Sequence, residues 1–133
     1  MTPAEYVYEI IKDHCEGQGF QVTVNHMPDQ KDNMVTIYDE RGARMEDRRF
    51  RTGEVDEHPM VDIMVRGAAN TGNAASLLLK SLWDDIFVDL YARTLEDGKI
   101  LRCITKNNTI VSLGQEPQKR RWLFSQQFRM TLE

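Results

Sequence analysis

The clearest pattern in the chain lies between His58 and Tyr91, where HPMVDIMVRG is followed by AANTGN and then AASLLLKSLWDDIFVDLY. In the first part Val61, Ile63 and Val65 alternate with Asp62, Met64 and Arg66, the period-two signature of a half-buried strand. In the last part Ala75, Leu78, Leu79, Leu82, Ile86 and Leu90 recur at threes and fours, which predicts one long amphipathic helix with Lys80, Asp84, Asp85 and Asp89 mostly off the apolar stripe. Gly67, Asn70, Gly72 and Asn73 supply turn chemistry and a helix N-cap between the two. The rest of the chain is expected to cover this strand-helix pair.

Upstream, Thr2-Pro3-Ala4-Glu5 reads as an N-cap, a proline at the first helical position and a capping-box glutamate. Val7, Ile10, Ile11, His14 and Cys15 form its apolar stripe, and Gly17 with Gly19 end it. A strand follows with Phe20, Val22 and Val24 alternating, then the polar turn MPDQKDN, then a strand from Asn33 to Tyr38 with Val35 and Ile37 on one face. Residues Asp39 to Glu57 carry seven acidic and five basic side chains and few aliphatics. They predict a long charged loop, with a short strand near Arg48 to Thr52; excursions of this length are usually functional or mobile.

Downstream, Lys99 to Lys106 and Thr109 to Leu113 read as strands, and Asn107-Asn108 between them as a two-residue hairpin turn, because Asn tolerates positive φ. A second hairpin turns at Gly114-Gln115-Glu116-Pro117. The last run alternates most regularly, with Trp122, Phe124, Gln126, Phe128, Met130 and Leu132 on one side, and is expected to be pinned in a sheet. The order is α-β-β-(β)-β-α-β-β-β. This is an α+β fold with a mainly antiparallel mixed sheet and two helices, forming a single domain over residues 1–133 with the charged loop at 39–57.

Length and composition narrow the function classes. At 133 residues, 41% hydrophobic and 29% charged, the chain is a globular domain and not a disordered tail. A net charge of -4 disfavours binding to nucleic-acid phosphates through a basic surface. No run approaches the roughly 20 apolar residues of a membrane span, and no leader pattern opens the chain, so a cytoplasmic site of synthesis and no membrane partner are expected. Cys15 and Cys103 are too few and too far apart for a structural metal site and are expected to be two buried free thiols.

Catalytic chemistry finds little to build on. His14 falls on a helix stripe as a satisfied core imidazole; His26 and His58 flank turns without HxH or HxxxH spacing. Asp84 and Asp85 are adjacent on a helix and point about 100° apart, which precludes a shared-proton dyad. AANTGNAA lacks the glycine spacing and lysine of a phosphate loop. No catalytic residue, metal or cofactor is assigned, and the chain is not expected to be an enzyme. Two basic clusters remain, Arg48-Arg49 with Arg51, and Lys119-Arg120-Arg121. They read as guarded edges or as protein interfaces, and Trp83 and Phe87 add apolar surface beyond one helix stripe.

The phrases PDQKDNMVTIYDERG, RRFRTGEVDEHPMVDIMVRG, LLLKSLWDDIFVDLY and TIVSLGQEPQKRRWLFSQQFRMTLE together resemble the tail terminator, or tail-completion, family of long-tailed bacteriophages, often labelled minor capsid proteins. The resemblance spans nearly the whole chain and rests on architecture and short phrases. It implies a structural virion protein that forms a hexameric ring on the head-proximal end of the tail tube. Such a ring ends tube polymerisation and offers a joining surface to the neck at the head-tail junction, while the genome passes through its lumen. The implied partners are copies of itself, the major tail tube protein and a head-completion protein. Arg48, Arg49, Arg51 and Glu54 are the expected docking residues for tube or neck. Trp83, Phe87, Lys119, Arg120, Arg121 and Trp122 are the expected subunit interface, the last four on an edge strand. A neck component of similar architecture is the alternative within the same machine. Outside it stand a small-ligand module using the Gly67 to Asn73 turn and a hydrolase with His58 and the acids of Glu54 to Glu57 around a metal.

Overall fold

The computed structural model describes residues 2–39, 48–49, 55–56, 58–69, 73–95 and 98–132. Helix α1 (Pro3–Gly17) begins as its sequence dictates: Thr2 Oγ1 accepts the Glu5 amide and Pro3 occupies the first turn. A second acceptor comes from the sheet, where Asp39 Oδ1 takes the Ala4 amide at 2.9 Å, placing a carboxylate on the positive end of the helix dipole. Ala4, Val7, Ile11 and Cys15 are fully buried.

Strands β1 (Gln21–Val24), β2 (Met34–Asp39), β3 (Arg48–Arg49), β4 (Val55–Asp56) and β5 (Met60–Ala69) follow, then α2 (Ala74–Ser81) and strands β6 (Arg93–Thr94), β7 (Ile100–Lys106), β8 (Val111–Gln115) and β9 (Arg121–Leu132). Seven of them make one mixed, mostly antiparallel sheet in the order β1-β2-β5-β9-β7-β6, with β8 also on β9, while β3 and β4 pair only with each other. The α+β class is as the sequence predicts. Both helices lie on one face. Val22, Val35, Ile37, Val61, Ile63, Val65, Phe128 and Met130 share a single core with Val7 and Ile11 of α1 and Leu78, Leu79 and Leu82 of the second helical segment. His14 Nε2 meets Ser81 Oγ at 2.9 Å and joins the two helices, the satisfied role expected of that imidazole.

Four features go beyond or depart from the sequence pattern, each for a tertiary reason. First, β1 and β2 pair in parallel, through residues 25–33. A parallel connection ordinarily takes roughly a dozen residues and a helix. Here Asn25 (φ 57°) and Asn33 (φ 56°) make the sharp reversals at its two ends, a backbone conformation that asparagine tolerates better than most residues.

Second, Asn107-Asn108 is not a hairpin turn. Strands β7 and β8 do not pair with each other; both pair antiparallel with β9, β8 along residues 122–125 and β7 along residues 128–132. They are two stretches of one long edge, separated by a bulge. Side chains repair the ladder there: Gln127 N donates to Asn108 Oδ1 at 2.9 Å, and the Gln126 side chain donates through Nε2 to the Asn108 backbone carbonyl at 3.0 Å.

Third, the second helix is not one continuous α-helix. After Ser81 it passes into a π-turn (Leu82–Ile86) and a 3-10 turn (Phe87–Asp89). The π-turn adds a residue to the turn and rotates the stripe, so Phe87, five residues after Leu82, takes the core position that regular spacing assigns to Ile86. Phe87 is 1% exposed and meets the Phe128 ring edge-on, with centroids 4.9 Å apart. Fourth, Gly67 lies inside β5 beside a register shift between Arg66 and Ala69, and not in a turn.

Candidate assembly surface

The residues expected to form the subunit interface separate once placed. Phe87 is core and is withdrawn from that role. Arg121 is withdrawn too. It is 1% exposed, and β9, far from being an edge, is flanked at this end by β5 and β8, with Arg121 opposite Ala69 and Trp122 opposite Gln115. Trp122 is half-buried and stacks on Phe124 with ring centroids 6.4 Å apart. Trp83 is half-buried beneath Lys106 Nζ, 4.8 Å from its ring centroid. Lys119 and Arg120 are exposed, as an interface requires. Arg48 and Arg49 belong to the β3-β4 ribbon, opposite Asp56 and Val55, and their side chains lie outside the described structure, as do Arg51 and Glu54 entirely.

Arg121 is held by a network that sequence reading missed. Its Nε and Nη2 fork onto the two Glu116 carboxylate oxygens at 2.9 and 3.1 Å, and Nη2 and Nη1 reach the carbonyls of Asp29 and Lys31 at 2.8 and 3.0 Å. Asp32 Oδ1 lies 3.3 Å from Nη1. Arg66, 3% exposed, points Nη2 at the carbonyls of Pro28 and Lys31. Lys119 Nζ donates to Asp29 O at 2.6 Å. Two guanidiniums, one from β5 and one from β9, thus staple the 25–33 crossover down. Burial and then the neighbouring Arg121 hold the Arg66 pKa below its usual value, against the pull of Glu116, Asp29 and Asp32. Burial works the same way on Arg121, but the hydrogen bonds and charges of Glu116 and Asp32 outweigh it and raise that group. The sequence signal is Arg66 standing in a strand whose only other charged residue is Asp62, and Arg121 five residues after Glu116.

With that network pinning one end of β9, β8 is an open edge among the described residues. Among the described residues it pairs only with β9, and its Val111 and Leu113 side chains are 43% and 48% exposed. The run Asn107 to Gln115 contains no charge and no proline, the usual guards of an open edge, although a register shift between Ser112 and Gly114 bends it. Gly114 at φ 89° and Arg120 at φ 53° shape the return into β9, where Glu116 N donates to Arg121 O at 2.9 Å.

Cys15 and His58 each have near neighbours within the fold. Burial and then the Glu16 carboxylate push the Cys15 thiol up to about 12. His58 Nδ1 lies 3.3 Å from Thr131 Oγ1. Among the described residues no three His, Cys, Asp or Glu side chains converge to hold a metal. In the expected ligand turn, residues 70–72 lie outside the described structure, and Asn73 makes no side-chain cap on α2. A cleft of about 290 Å³ opens elsewhere, lined by Lys80, Trp83, Lys106 and Gln126 among others. No helix is long and apolar enough to cross a membrane among the described residues. Comparison of the sequence with family models and with curated proteins finds no match to either.

Proposed function

We propose that this protein is a tail terminator, a structural virion protein whose copies form a ring on the head-proximal end of a phage tail tube, end its polymerisation and receive the neck. The observation that carries the reading is the edge of β8, which among the described residues pairs only with β9 and carries exposed valine and leucine on a strand without charged guards. Natural sheets normally protect such an edge or use it to bind. The phrases that resemble the terminator family support self-assembly as that use. A net charge of -4 suits a lumen through which DNA slides without adhering.

The test is negative-stain microscopy and solution mass of the purified protein, with and without magnesium, together with a tube-capping assay. The reading expects rings with a lumen wide enough for duplex DNA, and tail tubes that stop growing when the protein is added. Tubes that elongate unchanged in its presence refute the terminator role. Rings that bind heads but not tubes indicate a neck component instead.

A further inference from the structure

We infer that copies of this chain join edge to edge, β8 of one against β1 of the next, so that the sheet continues from subunit to subunit. The choice of a second copy as occupant rests on the ring reading above. The geometry rests on the sheet itself.

Among the described residues, strands β1 and β8 are the two open edges of one five-strand section, β1-β2-β5-β9-β8, and they stand at the same height in it. One row of partners runs Val22, Val35, Val65, Phe124, Ser112, and the next runs Thr23, Thr36, Met64, Ser125, Val111. A neighbour placed beside β8 in the same orientation therefore meets it with β1 level and in register. The directions also agree. Strand β1 is parallel to β2, and each later step in the section is antiparallel, so β8 runs opposite to β1 and the joint is an antiparallel pair.

Neither edge opposes the contact. Phe20 to Val24 and Asn107 to Gln115 contain no charged residue and no proline, whereas the far edge at β6 is two residues long and includes Arg93. A contact between two different patches repeats from copy to copy, and closes into a ring where each joint adds a rotation that divides the circle, while β8 against β8 would stop at a two-fold dimer.

Disulfide trapping in the full chain tests this. Thr23→Cys and Val111→Cys sit at opposite ends of one row, and facing positions of an antiparallel pair bring Cβ atoms to about 5 Å. In a Cys103→Ser background, the double variant should give a ladder of linked multimers on mild oxidation. Each single variant alone should give none, and a mixture of the two singles should give one dimer band. Linking of Val111→Cys to itself, or no ladder, overturns the proposal.

Leu113→Lys, a change at an exposed side chain, should weaken self-association at least tenfold by sedimentation and leave the melting curve in place. Unchanged association also overturns it. Rings without a ladder remove the edge pairing and leave the terminator reading standing; a ladder without tube capping does the reverse.

Discussion

Arg121 is the residue on which most separate parts of the molecule depend. It forks onto Glu116 and holds two carbonyls of the crossover, so truncating it leaves the partly buried Glu116 carboxylate without its forked partner and each carbonyl with one donor fewer. Arg121→Ala is expected to cost about 2–3 kcal/mol in urea unfolding, the upper range for losing hydrogen bonds to a charged group, while Arg120→Ala beside it should stay within about 0.5 kcal/mol. Asp62 carries a different signal. Burial raises its carboxyl above the ordinary range, with a hydrogen bond from Gln127 working against the shift. The folded state therefore holds this proton more tightly than the unfolded chain, and its contribution to stability declines as pH rises through the interval between the two pKa values. Asp62→Asn should melt higher than the parent at pH 7, with the gap closing toward about pH 4. A gap that widens on acidification would contradict the assigned direction.

At the scale of elements, the Phe87 position separates core from interface. Phe87→Ala should cost about 3–5 kcal/mol, as large-to-small changes in a filled core do, while Val88→Ala, at a half-exposed neighbour, costs little by the same measurement. Asn108→Ala, which removes an acceptor bridging the bulge, should cost about 1 kcal/mol and speed amide exchange at Gln127. These elements also mark where sequence reading stops. The start of α1 was legible because Thr2, Pro3 and Glu5 act on one another within a turn. The alternation of β9 was legible because its pattern records one buried face. The π-turn was not, since a stripe of Leu and Ile is satisfied equally well by regular spacing until Phe128 competes for Phe87. The Asn107-Asn108 bulge was misread for the same kind of reason: asparagine suits a hairpin and a bulge alike, and the choice belongs to β9, which offers its whole length to both strands.

At the scale of the molecule, the sequence pointed to charged and aromatic residues as the assembly surface, and the fold places the opening elsewhere. Whether a strand is an edge is a property of the sheet order and not of the strand's own residues; Lys119 to Trp122 and Val111 to Gln115 could not be ranked until β5 and β8 took the two sides of β9. Arg48, Arg49, Arg51 and Glu54 are untouched by that revision. Net charge acts at this scale as well. With -4 overall, the protein should not retard duplex DNA in a gel shift at physiological salt, and a complex that weakens steeply with added salt would count against a passive lumen.

The arginine staple also sets an order in time. The crossover between β1 and β2 is made by residues 25–33, yet one of the two guanidiniums that hold it sits at residue 121, on the strand that forms the middle of the sheet. A ribosome releases the chain from its N-terminus at several residues per second, so the first half must wait for β9 before its parallel pair is secured and its apolar rows are closed. Nascent chains halted ahead of Arg121 should therefore remain open to protease, and then become resistant together over the short span of synthesis in which β9 clears the exit tunnel.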